Sequence, residues 1–129
     1  MPKPRIEKRN RSRHKCECPV CGRASTRKHV RQRRLHDLGD ARSGCPIEVQ
    51  VSYSEHYCCK CDRWFTVDLS DLAAPASHYT HRVVSAAVMA VIEDGLPYRV
   101  ASWRLWRDHR VFVPFATIQN WVEAAEKKR

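Results

Sequence analysis

Hydrophobic and polar residues alternate between positions 47 and 54, and this alternation predicts a β-strand with one buried face. Polar residues separate the apolar side chains of this stretch, which are Ile47, Val49, Val51 and Tyr53. A period of two places successive side chains on opposite faces of a sheet. A second alternation, at Phe65, Val67 and Leu69, predicts another strand further along the chain. The first part of the chain is therefore predicted to contain a small antiparallel sheet.

Beyond Pro75 the hydrophobic residues recur every three or four positions, and this period predicts three amphipathic helices. The first helix is expected to begin after a cap at Ser77 or Thr80 and to end before Gly95. The second is expected to begin at Pro97 and the third at Pro114, because proline suits the first turn of a helix. The buried residues of the second helix are predicted to include Val100, Ala101, Leu105 and either Trp103 or Trp106.

A short extended link, Val111–Val113, joins the last two predicted helices, and this arrangement is typical of a helix-turn-helix unit. In such a unit the third helix enters the major groove, so we expect base contacts from Thr117, Gln119 and Asn120. Arg99 and Arg110 belong to the second helix and its end, which cross the DNA backbone in this geometry. An ordinary three-helix core with a solvated polar face has the same periodicity, so both interpretations stay open.

Positive charge is concentrated near the N-terminus. The 129 residues carry a formal net charge of +10, yet residues 1–34 hold thirteen Lys and Arg against two acidic residues. Such a segment is typical of polyanion binding, although a solvated tail that aids solubility has the same composition. Residues 1–15 hold almost no large apolar side chains, which predicts a flexible basic arm. We expect phosphate contacts from Arg9, Arg11, Arg13, Arg27, Lys28, Arg31, Arg33 and Arg34.

Length and hydropathy exclude several functional classes. A chain of 129 residues is too short for an (α/β)₈ barrel, which needs about 200. No apolar run approaches the ~18–20 residues of a membrane span, and the basic first residues do not form a signal peptide. We therefore expect a cytoplasmic protein that does not bind a membrane. Disulfides are rare in that compartment, so the seven cysteines need another explanation.

Two Cys-x-x-Cys pairs predict a metal site. Cys18 and Cys21 form the first pair, Cys58 and Cys61 repeat its spacing, and Gly22 permits the tight turn after the first pair. Four thiolates complete a tetrahedral shell with no position left for water, which is the ligand set of one structural Zn²⁺. Strands on either side of the second pair, with a distant first pair, predict a zinc ribbon. Unrelated buried cysteines or oxidised thiols are the alternative interpretation.

The spacing does not fully decide which cysteines bind the metal. Cys16 is an alternative partner for Cys18, and Cys59 is an alternative to Cys58. We favour the two Cys-x-x-Cys pairs because a Cys-x-Cys pair is a rarer zinc ligand. Cys45 is spare in either case, and spare thiols are expected to be inert. Surface or polar positions are the default expectation for the nearby histidines, His14, His29 and His56.

Several segments resemble the N-terminal zinc ribbon of a group of bacterial insertion-sequence transposases, in which a helix-turn-helix follows the ribbon. The resemblance covers roughly residues 16–125. It rests on CPVCG at 18–22, RLHDL at 34–38, YCCKCDRWFT at 57–66, HYTHRV at 78–83, GLPYRVA at 95–101 and TIQNWV at 117–122. It implies sequence-specific binding of duplex transposon-end DNA, in a bacterial cytoplasm and close to the nucleoid.

The sequence also departs from that family. Such transposases continue into a large RNase-H-like domain with three catalytic carboxylates, whereas this chain ends at Arg129 and its acidic residues are scattered. We therefore expect a DNA-binding module that is not an enzyme, acting as a homodimer or beside a partner protein that supplies catalysis. The predicted architecture is a small α+β protein with a basic arm at 1–15, a zinc ribbon at 16–72 and a helix-turn-helix domain at 76–129.

Two other classes of function compete with DNA binding. Basic arms and zinc ribbons also occur in RNA-binding proteins, although the aromatic-rich RNP-type sheet signature is missing here. A protein adaptor is the third hypothesis, in which Trp64, Phe65 and Tyr98 form an exposed contact patch. Binding to duplex DNA, structured RNA or neither separates these three hypotheses.

Overall fold

The computed structural model describes residues 3–40 and 42–127, and within them it contains a five-stranded mixed sheet followed by three α-helices. Residues 1–2 of the predicted arm and 128–129 of the predicted helical domain lie outside the described residues. The elements are β1 (Arg5–Arg11), β2 (Lys15–Glu17), β3 (Ala24–Asp40), β4 (Cys45–Cys58), β5 (Arg63–Thr66), α1 (His81–Ile92), α2 (Tyr98–His109) and α3 (Phe115–Lys127).

Strand β4 lies at the centre of the sheet. Strand β3 pairs with it antiparallel along one edge, and the other edge is shared by β1 and β5. Strand β1 runs parallel to β4 opposite residues 47–53, whereas β5 runs antiparallel opposite residues 55–58. Strand β2 pairs with the start of β3. The small α+β class predicted from the sequence is confirmed, and the sheet is longer and more mixed than expected.

The segment expected to be a flexible arm differs from that prediction, because Arg5–Arg11 forms strand β1. The 14-residue β4 has an edge that β5 covers only in part. Unpaired backbone N–H and C=O groups on that edge would remain without sheet partners, and pairing with β1 satisfies them. The side chains of β1 are largely exposed, so backbone pairing rather than apolar burial accounts for this strand.

One face of the sheet carries a small apolar core. Leu35, Val49 and Val51 are almost fully buried there, together with Ala73 from the segment that follows β5. Arg33 holds this segment on the sheet, since its guanidinium donates to the carbonyl oxygens of Ala74 at 2.7 Å and Ser77 at 2.5 Å. Its backbone acceptors explain why a charged side chain lies beside an apolar cluster.

The three helices share a second core, whose buried members are Val83, Ala87, Ala101, Leu105, Val111, Val113, Ile118 and Val122. The helices predicted from the sequence are present, but the buried face of α2 differs from the prediction. Ser102 is buried and donates to the Val113 carbonyl oxygen at 2.5 Å. Val100 and Trp103, both expected among the buried residues, are 44% and 57% exposed because they lie outside the face formed by Ala101, Ser102 and Leu105. No helix in the described part of the chain is long and apolar enough to cross a membrane.

Sheet and helices are joined by contacts at the end of β3. Asp37 is buried and accepts hydrogen bonds from the Thr80 hydroxyl at 2.8 Å and from Arg82 at 3.3 Å. Gly39 lies where α2 ends: a Cβ at this position would come 2.6 Å from the His109 carbonyl oxygen and 2.7 Å from that of Cys45. Only glycine fits this approach without a backbone shift.

Candidate metal centre and basic surface

Two antiparallel pairings bring the two Cys-x-x-Cys motifs together. Cys18 and Cys21 lie in the turn between β2 and β3, and Cys61 lies in the turn after β4, which ends at Cys58. The first turn is closed by hydrogen bonds between the backbones of Gly22 and Cys18, at 2.9 Å, and of Cys18 and Arg23, at 3.0 Å. Each motif therefore lies at the end of a strand pair, and the two ends face each other.

The four thiols are spaced for one metal ion. Their sulfur atoms all lie within 4.8 Å of one another, and they form the one such group of His, Cys, Asp or Glu among the described residues. The Sγ atoms of Cys18 and Cys61 are 4.0 Å apart, and those of Cys21 and Cys58 are 3.5 Å apart. Zn–S bonds of about 2.3 Å in a tetrahedron require sulfur–sulfur distances of about 3.8 Å, so the four residues fit a metal.

The local backbone makes two of these thiols acidic. Backbone N–H groups of Cys21 and Val20 lower the pKa of Cys18 to about 6, and the Cys61 backbone N–H lowers the pKa of Cys58. Hydrogen bonding to the Cys21 thiol, with burial, raises the pKa of Cys61 to about 12. The turns thus stabilise thiolates at two positions, and a bound cation would remove the proton from the remaining thiols.

The three spare cysteines lie outside this cluster. Cys59 is exposed, the Cys16 thiol is near the Glu17 carbonyl oxygen at 3.9 Å, and the Cys45 thiol is 3.4 Å from the Lys3 carbonyl oxygen. The structure therefore brings together the same four cysteines that the spacing favours. Cys59 directly follows Cys58, the last residue of β4, but its side chain faces solvent while that of Cys58 is buried.

His56 does not lie at the surface, contrary to the expectation from the sequence. Its ring is fully buried, with Nε2 2.8 Å from the Ser54 hydroxyl and Nδ1 2.9 Å from the Ser25 carbonyl oxygen. The ring also stacks on Phe65 at 5.4 Å between centroids. These contacts tie β3, β4 and β5 together next to the cysteine cluster. Alternation along β4 places position 56 on the same face as Cys58, and this signal was available in the sequence.

Thirteen basic residues lie between positions 3 and 34, in the strands of the sheet and in the segments beside them. Ten of them lie within β1, β2 or β3. Strands β1 and β3 lie on either side of β4, and β2 pairs with β3. Three are ion-paired: Arg9 with Glu7, Arg11 with Asp71 and Arg31 with Glu55. Arg27 donates to the Ser12 hydroxyl, and Arg33 is bound to backbone carbonyl groups. The other eight side chains are exposed and have no hydrogen-bond or ion-pair partner within the described chain: Lys3, Arg5, Lys8, Arg13, Lys15, Arg23, Lys28 and Arg34.

The residues expected to read DNA on the helices are not equivalent. Asn120 is exposed on α3, whereas Gln119 is half-buried and donates to Glu123 at 3.1 Å. Thr117 lines a groove between α3 and the segment before α1. Arg99 is exposed and lies 4.4 Å above the Phe115 ring, where α2 and α3 meet. Of the predicted base contacts, Asn120 is therefore the most accessible.

Arg110 serves the fold. It ends α2 in the left-handed conformation with φ 51°, and its guanidinium lies 5.5 Å from the Trp106 ring centroid. Its Nε atom is buried and has no hydrogen-bond partner within the described chain. The side chain is half-buried, and its DNA contact stays a prediction.

The chain was compared with protein-family models, curated proteins and solved structures, and none of the three comparisons gives a match. The resemblance to insertion-sequence transposases therefore stays a prediction from the motifs themselves.

Proposed function

We propose that this protein is a DNA-binding module in which a zinc ribbon and a helix-turn-helix unit bind duplex DNA together. The observation that carries the proposal is the basic sheet: eight exposed Lys and Arg side chains lack partners within the described chain, and five of them lie in its strands. Neutralising DNA phosphates with such side chains releases counterions and gives sequence-independent affinity. Because strand pairing fixes the positions of the five residues in the strands, their charges form a fixed pattern, which a flexible tail would not provide.

The cysteine cluster supports zinc as the cofactor of this module. Thiolates are soft ligands, and a closed set of four at tetrahedral spacing is typical of structural zinc. One ion per chain, held by Cys18, Cys21, Cys58 and Cys61, would fix the two strand ends against each other. The role we assign to zinc is structural, since the four thiolates leave no coordination position for a reacting molecule.

The helical part supports the second DNA contact. Helices α2 and α3 are separated by residues 110–114, and Arg110 provides the left-handed residue that a tight turn requires. This link is slightly longer than the usual three to four residues of the motif. We assign α3 to the major groove with Asn120 directed at a base, and α2 with Arg99 to the DNA backbone. The module is proposed to act by binding, as a transposase-like DNA-recognition unit without its own catalytic role.

Sequence-specific reading by α3 is tested with Asn120→Ala. The preferred duplex is first selected from a random pool with the zinc-loaded protein. We expect the variant to bind this duplex about 1–3 kcal/mol more weakly and to lose preference at one base pair, because Asn pairs bidentately with adenine. Affinity is measured by fluorescence anisotropy on the selected site and on single-base variants of it.

Ser85→Ala is the matched control, since Ser85 is an exposed polar residue on α1, away from the proposed groove contact. It should leave both affinity and preference unchanged. An equal loss of affinity on every duplex in the Asn120→Ala protein would refute base reading. Preference for structured RNA over every selected duplex would instead favour the RNA-binding alternative.

A further inference from the structure

An aromatic cluster lies on the sheet near the metal centre and takes no part in either core. Trp64 of β5 is paired across the strands with Tyr57 of β4, and their ring centroids are 5.1 Å apart. His29 of β3 reaches the same ring, stacked at 5.7 Å with 27° between the ring planes. These three side chains, called here the Trp64 platform, therefore span three adjacent strands.

The register places the Trp64 platform on the face that also carries the small apolar core. His29 is opposite Glu55, which lies two residues from Tyr57, and Val51 lies further along the same side of β4. The segment that follows β5 covers the Val51 end of this face, where Ala73 is buried. The platform end is uncovered in the described chain, and Trp64 is 53% exposed there.

Basic residues surround the Trp64 platform. Lys28 lies at the irregularity of β3 next to His29, and Lys60 lies in the turn that joins β4 to β5; both are exposed. Arg63 is exposed too, but it pairs with Cys58, so alternation places its side chain on the other face of the sheet. Arg31 lies beside the platform with its side chain 55% exposed, and it pairs with Glu55 at 3.1 Å. An exposed aromatic surface bordered by positive charge is complementary to a ligand with flat apolar rings and phosphates.

We propose that the Trp64 platform binds unpaired nucleotides of a single-stranded nucleic acid, with one base stacked on the Trp64 indole and the adjoining phosphates near Lys28, Arg31 and Lys60. Every base has a π-face, so such stacking tolerates any sequence. In a duplex the faces of the bases are covered by their neighbours, so this surface requires an unpaired strand. The site extends the proposed function and does not depend on how α3 reads a duplex.

The test compares affinity for single strands with affinity for a duplex. Fluorescence anisotropy is measured with dT12, with rU12 and with a random 20-base-pair duplex, using the zinc-loaded chain and Trp64→Ala. We expect Trp64→Ala to weaken single-strand binding by roughly 5- to 150-fold, the range that removal of a stacking side chain produces. Duplex affinity should change less than twofold. A preference for dT12 or for rU12 shows whether the unpaired strand is DNA or RNA.

Two further variants keep the test clear. Trp64→Phe retains a stacking ring and should keep most of the single-strand affinity that Trp64→Ala loses. Trp103→Ala is the matched control, because Trp103 is similarly exposed, at 57%, but lies on α2. It should leave single-strand affinity unchanged. Metal content and the far-ultraviolet circular dichroism spectrum verify that each variant is folded.

The proposal is overturned if the wild-type chain binds neither dT12 nor rU12, or if Trp64→Ala binds them as tightly as wild type does. A parallel loss of duplex and single-strand affinity would also contradict it, because the platform would then serve the duplex. Failure of duplex binding alone would refute the proposed function and leave the single-strand site intact, so the two failures are distinguishable.

Discussion

Each cysteine pair is followed by a residue in the left-handed conformation. Gly22 has φ 76° after Cys21, and Asp62 has φ 51° after Cys61. Glycine adopts this conformation without strain, and aspartate is one of the few other residues that tolerate it. The same turn therefore forms twice from different sequences, which explains why backbone N–H groups point at the first thiol of each pair. Spacing and the first glycine were sufficient to predict the pairs; the turn at Asp62 carries no comparable sequence signal.

The assignment of Cys58, and not its neighbour Cys59, as a metal ligand is tested by substituting each cysteine in turn. We expect Cys58→Ser to lose the bound zinc, because three thiolates and a neutral hydroxyl make a much weaker site. Cys59→Ser should retain one zinc per chain, since Cys59 is exposed and outside the cluster. Zinc is measured by elemental analysis after gel filtration under reducing conditions. Loss of zinc in Cys59→Ser, with retention in Cys58→Ser, would reverse the assignment.

The helices were more predictable than the strands for a physical reason. Helix α1 begins directly after Thr80, one of the two predicted caps, and α2 and α3 begin one residue later than their predicted starts at Pro97 and Pro114. Most of β3 and all of β1 lack that signal, because their side chains are exposed on both faces and their pairing comes from the backbone. Ser25 at the start of β3 and Leu35 and Asp37 near its end are buried, and the two polar residues among them conceal the pattern.

The close packing of α2 against the sheet is tested at Gly39. We expect Gly39→Ala to destabilise the protein by about 1–3 kcal/mol, because its Cβ would overlap backbone oxygens of α2 and β4 that no side-chain rotation relieves. The matched control is Gly95→Asn, where nothing lies within 4 Å and asparagine tolerates the positive φ of 68°. Thermal unfolding measures both variants. Equal midpoints for Gly39→Ala and wild type would show that α2 does not pack closely on the sheet.

Over the whole molecule, most of the basic residues near the N-terminus and the cysteine cluster belong to the same sheet. The positive excess belongs to the first 34 residues, and the strands that hold most of these residues form the sheet that ends in the four thiols. Metal binding should carry about 10–16 kcal/mol in sites of this type, so zinc is expected to fix the strand ends and with them the pattern of charge. The sequence located the charge, but strand pairing decided which arginines are bound within the protein and which face solvent.

The most direct test is the affinity of the zinc-loaded chain for its selected duplex at a series of salt concentrations. We expect the logarithm of the binding constant to fall linearly with the logarithm of the salt concentration. Contacts from Arg13, Lys28 and Arg34, which have no side-chain partners in the described chain, give a slope of about −2.7 or steeper. A chelator should abolish this specific binding. No measurable duplex affinity, or affinity that salt and zinc removal leave unchanged, would contradict the account.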